Sequence, residues 1–420
     1  MKYENNLVVI GAGSAGLIAA LIAATVKARV SLVESGAMGG DCLNTGCVPS
    51  KTLIASAKAA HVLSHGERYG LKNVVGEVDF AKVMARVRDA IATIAPKDSM
   101  ERYESLGVRC LAGHAKVVDG HTVEVGDRRL TTRRIVVAAG AEPFVPPIPG
   151  IGDVDILTSD NVWDLNELPG RLAVLGGGPI GCELAQAFAR LGSQVALIDM
   201  EDRLLPREDP DAAAVVETVL AEEGVEVLTG HRATRIDPDA ITLDTADRSG
   251  KRVPFDRILV AVGRRARSTG FGLEDLGVQT NRDGTLVVNG ALRTTSPTIY
   301  ACGDVIGPYQ TGAVSAGSIH GQDDPISLDG NDKDPCGDIG SDGLRDGCRA
   351  AIAICGEGNV KSMSVTTDKD GTGSVSVTVG KKGGEVTGGG GSQTTTDIVC
   401  RGTESNDSGS NDSGSSDSGS

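Results

Sequence analysis

Leu7–Ser35 reads LVVIGAGSAGLIAALIAATVKARVSLVES, and Leu172–Met200 reads LAVLGGGPIGCELAQAFARLGSQVALIDM. Each is a short apolar strand, a glycine turn, an Ala/Leu-rich helix and a second apolar strand ending in an acid. The glycines fall at Gly11, Gly13 and Gly16 in one copy and at Gly176, Gly178 and Gly181 in the other; the closing acids are Glu34 and Asp199. The first glycine of such a turn lets the chain bend sharply, the second lets backbone approach a pyrophosphate, and the third lets helix and strand pack closely. The helix start then offers unpaired N–H groups and the positive end of its dipole to phosphates. The acid accepts hydrogen bonds from a ribose diol. One such glycine turn is weak, because loops match it often. Two copies in the same strand-turn-helix setting predict an α/β fold of two Rossmann-like, three-layer dinucleotide-binding units. Asp199 also repels a 2′-phosphate, which favours NADH over NADPH at the second unit, although Arg203 and Arg207 lie close enough downstream to oppose it.

Two more apolar segments, 134–141 and 257–264, read as buried strands. They reach Gly140 and Gly263, whose positions place them at a nucleotide crevice. From Asp79 to about Leu106 the apolar residues Phe80, Val83, Val87, Ile91 and Ile94 recur at helical spacing, with Asp79 as the cap. His61, His65, His114, His121 and His231 have no metal-ligand spacing and read as surface or structural residues.

The chain has 420 residues, room for two or three domains, and a formal net charge of −15, which argues against nucleic acid or an anionic membrane surface as partner. Nine cysteines are too few for a disulfide scaffold. The apolar run from Leu7 is broken by glycines, so it does not read as a signal peptide, and no stretch approaches the ~18 apolar residues of a membrane helix. A cytoplasmic location is expected.

Gly39–Lys51 reads GGDCLNTGCVPSK, with Cys42 and Cys47 five residues apart. Such a pair is a metal half-site, a redox disulfide or a coincidence. No second pair with zinc-type spacing follows, which disfavours metal. A cysteine pair entering a helix has thiols of lowered pKa. The run CLNTGCVPSK resembles the redox-active segment of the class I pyridine nucleotide-disulfide oxidoreductases, the group that includes dihydrolipoamide dehydrogenase, glutathione reductase and mercuric reductase. The resemblance covers roughly residues 5–310. It extends to both glycine motifs, the VGRR segment at 262–265 and Tyr300-Ala-Cys-Gly-Asp304.

The resemblance implies FAD and NAD(P)H as cofactors. Gly11, Gly13, Gly16, Glu34, Gly140 and Asp304 would serve FAD, with Asp304 on the ribityl chain. Gly176, Gly178, Gly181, Asp199 and Gly263 would serve the nicotinamide cofactor. Cys47 would lie against the flavin, Cys42 would face substrate, and Lys51 would stand near the flavin ring with Glu183 as its ion-pair partner. The implied domains are an FAD-binding part at 1–148, an inserted NAD(P)-binding part at 149–268, and a second FAD-binding part at 269–315. The implied activity carries electrons from NAD(P)H through flavin and Cys42–Cys47 to a disulfide or thiophilic acceptor. Cys110 and Cys182 read as packed core thiols.

The resemblance stops before residue 316. The family's C-terminal domain, which makes the homodimer interface and supplies a His–Glu pair, is not recognisable in 316–420. From Gln310 onward there is no aromatic residue, and the end is NDSGSNDSGSSDSGS. Such a composition reads as largely disordered. His320 does not match the family's histidine motif. The acidic clusters at 329–338 and 368–373 lack the final glutamate of a calcium loop. Cys336, Cys348, Cys355 and Cys400 form no adjacent pair. Two alternatives therefore stand beside the disulfide-reductase expectation: a flavin core with NADH oxidase or quinone-type activity only, and an incomplete chain without disulfide turnover.

Overall fold

The computed structural model describes residues 3–307 apart from 71, 74 and 75, together with 360–367 and 373–379. The first repeat folds as β1 (Asn5–Ile10), α1 (Ser14–Thr25) and β2 (Val30–Glu34). Next come α2 (Gly40–Asn44), α3 (Cys47–Ser64), α4 (Phe80–Ile94), α5 (Met100–Ser105) and β3 (Val108–Ala112). A meander follows, β4 (Ala115–Asp119), β5 (Thr122–Val125) and β6 (Arg128–Val137). Asp79 caps α4 by accepting from the Lys82 N–H at 3.1 Å. The helical pattern expected from Asp79 to about Leu106 is interrupted: Ala95-Pro96-Lys97 forms a 3-10 turn, and Ser99 caps α5 anew. Pro96 lacks the N–H a continuing helix would need.

The first sheet runs β3-β2-β1-β6, all parallel, with β17 (Ile299–Ala301) parallel to the far end of β6. β6 serves two purposes along its length: Arg128–Thr131 pairs antiparallel with β5, and Thr132–Val137 pairs with β1. Strands Leu7–Ile10 and Ile135–Val137 are buried on both faces, as a covered parallel sheet requires. The small side chains of α1, including Ala15, Ala19, Ala20 and Ala23, let it lie close against that sheet.

The chain leaves this unit along β7 (Ala141–Pro143) and builds a second one from β8 (Ile156–Leu157), β9 (Arg171–Leu175), α6 (Pro179–Leu191), β10 (Gln194–Ile198), α7 (Pro210–Glu222) and β11 (Glu226–Leu228). The meander β12 (Arg232–Ile236), β13 (Ala240–Asp244) and β14 (Lys251–Pro254) precedes β15 (Arg257–Val260). Its parallel sheet, β11-β10-β9-β15-β8, repeats the first unit's arrangement. The chain returns along β16 (Arg264–Ala266), which pairs antiparallel with β7. The two crossings between units are thus one small ribbon.

The helix carrying Cys47 packs on the second unit rather than the first. Leu53 and Ala57 of α3 and Phe80, Met84 and Val87 of α4 share a core with Leu184, Ala185 and Phe188 of α6 and Val174 of β9. Phe80 and Phe188 meet at 6.0 Å between ring centroids. Burying one such side chain stabilises the fold by about 1.5–3 kcal/mol, so this cluster fixes the cysteine helix across both units.

Of the tail the structure describes only β18 (Val360–Thr367) and β19 (Gly373–Val379), an antiparallel pair. His320, the acidic cluster at 329–338, most of the second, and Cys336, Cys348, Cys355 and Cys400 lie outside the described residues. Among the described residues, no helix is long and apolar enough to cross a membrane, and no group of three or more His, Cys, Asp or Glu side chains is placed to hold a metal ion.

Candidate active site

Gly11 has φ +100°, and a Cβ there would lie 2.2 Å from the Ala138 carbonyl oxygen. Only glycine fits that turn. A Cβ on Gly16 would meet the Gly11 oxygen at 1.8 Å, so the third glycine is where α1 closes on β1. Glu34 reaches back over the turn: its carboxylate accepts from the Ala12 N–H at 2.6 Å and the Gly36 N–H at 2.7 Å. The second turn repeats this. Gly176 has φ +110° with Ala261 beneath it, Gly181 closes on Gly176, and Asp199 accepts from the Gly177 and Glu201 N–H groups.

α1 and α6 begin without a side-chain cap or an acid in the first turn, whereas Asp79, Ser99 and Asp209 cap α4, α5 and α7. Uncapped N–H groups in these two places suit anionic phosphates.

A cleft of about 1380 Å³ opens at the C-terminal ends of β1 and β2. Gly11, Gly13, Glu34, Cys42, Cys47, Gly140 and Asp304 all line it. That is the crevice where an open parallel sheet binds its ligand. Two buried polar atoms around it, Arg264 Nε and Asp160 Oδ1, have no hydrogen-bond partner among the described residues. Such atoms ask for a polar ligand. The volume, the uncapped helix, the glycine cradle and these orphaned atoms fit an FAD-sized dinucleotide. Gly16 is packed beneath the turn. Gly176, Gly178, Gly181, Asp199 and Gly263 are not among the lining residues; the first four form the second glycine turn, and Gly263, at φ +137°, precedes β16.

The cysteines sit where two helices meet. Cys42 is inside α2, and Cys47 is the first residue of α3. Both are free and partly buried. Cys47 is held down at about 7. Its hydrogen bond with Cys42 is the main cause; its own backbone N–H at the helix start and the Lys51 ammonium add to it, against burial and the Asp304 charge. Cys42 is pushed upward by that same hydrogen bond, by burial and by the neighbouring sulfur, while the Ser14 hydroxyl opposes. The pair therefore loses its first proton from Cys47, while Cys42 keeps its own.

Lys51, one turn further along α3, meets Glu183 of α6 at 3.1 Å. Burial raises the Glu183 carboxyl, and Lys51 partly offsets this. Both line a small pocket of about 160 Å³ between α3 and α6, with Gln186 and Arg190.

Several contacts at the site carried no signal in the sequence, including those of Arg264 within the VGRR segment. Arg264, 5% exposed at its side chain, pairs with Asp41, donates to the Ala141 carbonyl at 2.8 Å, and comes within 3.9 Å of Asp304. Asp160 titrates high because it is buried and near Asp41. His114, expected to be surface or structural, lines the cleft. His61 packs 3.9 Å from Glu223 and stacks on His65. Cys182 is buried within α6 and raised to about 12 by burial; Cys110, half-buried in β3, is raised to about 11 for the same reason.

Residues 5–319 match the family described as pyridine nucleotide-disulphide oxidoreductase. Mercuric reductase of Bacillus cereus is 32% identical over 339 residues, which cover 78% of this chain and 54% of that protein. Dihydrolipoyl dehydrogenase of Bacillus subtilis (strain 168) is 36% identical over 347 residues, 77% of this chain and 73% of that one. Among solved structures, the Cu(II) complex of the HOCl-induced flavoprotein disulfide reductase RclA from Escherichia coli matches with a TM-score of 0.64 at 30% identity, covering 74% of this chain and 68% of the other. The chain spans about half the length of the mercuric reductase. The family uses FAD and NAD(P)H. On the match to residues 5–319, the chain belongs to the pyridine nucleotide-disulphide oxidoreductase family.

Proposed function

We propose that this chain is an FAD-dependent oxidoreductase that carries electrons from NADH through the Cys42–Cys47 pair to a disulfide or thiophilic acceptor. One observation carries the reading: a lowered-pKa cysteine and its thiol partner line the same cleft as a dinucleotide glycine turn and its acid. In this reading Gly11, Gly13, Gly16 and Glu34 hold the ADP half of FAD, Gly140 and Asp304 the remainder. Lys51, with Glu183 fixing it, places positive charge beside the flavin ring. Gly176, Gly178, Gly181, Asp199 and Gly263 hold the nicotinamide cofactor. Bound FAD supplies the two-electron link between that cofactor and the cysteine pair.

The protein's own chemistry is thiol–disulfide exchange. The Cys42 thiol attacks one sulfur of the acceptor as it gives up its proton, and the other sulfur leaves and takes up that proton. The Cys47 thiolate then attacks the Cys42 sulfur, releasing the second product thiol and closing the Cys42–Cys47 bond. Two electrons leave the pair and one acceptor disulfide becomes two thiols.

NADH is favoured over NADPH. Asp199 repels a 2′-phosphate, and Arg203 is turned away, donating to the carbonyls of Leu205 (3.3 Å), Glu208 (3.1 Å) and Pro206 (2.6 Å). The partners expected of this reading are a small or protein-bound disulfide and a second copy of the chain. A reducing, cytoplasmic setting suits a centre that works through free thiols.

Cys42→Ser tests the proposal. The variant is expected to lose disulfide reduction to background while still passing electrons from NADH to a quinone. Disulfide reduction that survives in Cys42→Ser refutes the role of the pair. Quinone reduction with no disulfide turnover even in the unmodified chain favours a flavin-only oxidase.

A further inference from the structure

The chain has one tryptophan. Trp163 lies in the 3-10 turn Val162–Asp164 of the second unit, 6% exposed, among Leu157, Leu172 and Val174. A buried indole needs a partner for its N–H. The Ser159 carbonyl, four residues back, supplies one at 2.7 Å. The same N–H also reaches the Thr45 carbonyl at 2.8 Å, 118 residues away in sequence. Packing explains the first acceptor and does not require the second.

Thr45 is the C-cap of α2, and the peptide after it leads through Gly46 into α3. It is the hinge between the two cysteine-bearing helices. α2 is thereby gripped at both ends by the segment 159–163 and its neighbours: Asp41 pairs with Arg264, whose guanidinium also donates to Ser159 Oγ at 3.3 Å, and Thr45 is held by Trp163.

We propose that Trp163 is a positioning residue for the redox pair, its indole N–H fixing the Thr45 carbonyl and with it the approach of Cys42 to Cys47. The inference rests on the function proposed above, but its geometry concerns the protein alone. Without the indole N–H, the Thr45 carbonyl loses its tie to the second unit. The Cys42–Cys47 hydrogen bond, the main support of the Cys47 thiolate, then weakens. A net hydrogen bond of ordinary strength is worth about a fivefold change in an equilibrium.

Trp163→Phe keeps the apolar ring and removes the donor. The readout is the pH profile of Cys47 alkylation by iodoacetamide in the reduced full-length chain, mapped by peptide mass. The midpoint is expected to move up, so that the thiolate fraction at pH 7 falls about threefold to fivefold, with flavin content unchanged. Replacing tryptophan by 5-fluorotryptophan, which keeps the N–H, is expected to leave the profile as in the unmodified chain. Alkylation needs no cofactor, so absent flavin chemistry leaves this result readable, and disulfide turnover that persists while Trp163→Phe matches the parent profile sinks only the role of Trp163. A second arm needs no substitution and covers a variant that does not fold. The single ¹⁵N-indole N–H resonance is expected to shift when the pair is cycled between dithiol and disulfide; a resonance blind to that change overturns the proposal.

Discussion

The two glycine turns are nearly the same object, yet one is roofed and the other is open. At the first, Gly40 of α2 lies so near Gly13 that a Cβ on it would stand 2.5 Å from the Gly13 Cα. At the second, a Cβ on Gly178, the equivalent of Gly13, would meet nothing among the described residues within 4 Å. The roof over the first turn is the helix that carries Cys42. The contrast gives a physical reason for two different uses of one motif. On the proposed function, the covered turn would hold the dinucleotide that stays beside the cysteines, and the uncovered turn would admit the one that arrives, reacts and leaves.

The largest expected effect separates the two turns directly. Gly40→Ala puts a side chain at φ +57° into the Gly13 backbone, and Gly11→Ala puts one at φ +100° against Ala138. Each is expected to cost about 3 kcal/mol and to yield protein depleted in flavin, measured by absorbance after gel filtration. Gly178→Ala is expected to keep full flavin content and to raise KM for NADH about tenfold, because the added methyl occupies space the pyrophosphate needs. Equal flavin loss in all three variants would erase the distinction.

A smaller effect tests the ligand of the open turn. Asp199→Asn removes the charge that repels a 2′-phosphate and is expected to reduce the NADH-over-NADPH preference in kcat/KM about tenfold. The preference should be insensitive to Arg203→Ala, since Arg203 is bound to three carbonyls of its own loop.

The smallest effect concerns the strut between the units. Lys51 and Glu183 remain 45% and 33% exposed, so Lys51→Met is expected to change unfolding stability by less than about 1 kcal/mol in denaturant titration. A larger loss would mean that the pair, and not the Leu53–Phe188 core, fixes the cysteine helix to the second unit.

Both turns were legible in the sequence because glycine spacing and a terminal acid are local features, set within thirty or so residues of chain. The Cys42–Cys47 segment was legible for the same reason. Lys51 and Glu183 could be paired from the resemblance, although they are 132 residues apart. What stayed hidden was made by contacts between distant segments of ordinary residue types. Asp41 meets Arg264 across 223 residues, and Trp163 meets Thr45 across 118. Neither Asp41 nor Trp163 stands out in its local sequence. The β7–β16 ribbon was missed because its strands are three residues long, too short to show alternation. Pro96 marks the break in the 79–106 pattern locally, but the apolar spacing on either side of it masks the break.

The most direct test of the central claim is an anaerobic titration of the full-length chain with NADH, followed by absorbance. A cysteine pair sharing the roofed cleft with flavin predicts that reduction halts at the two-electron level, with new long-wavelength absorbance from the Cys47 thiolate against the flavin, and that this band rises with pH about a midpoint near 7, because the lowered Cys47 pKa leaves the thiolate in place above it and removes it below. Flavin that bleaches fully with the first equivalent of NADH, with no such band at any pH, would contradict the account.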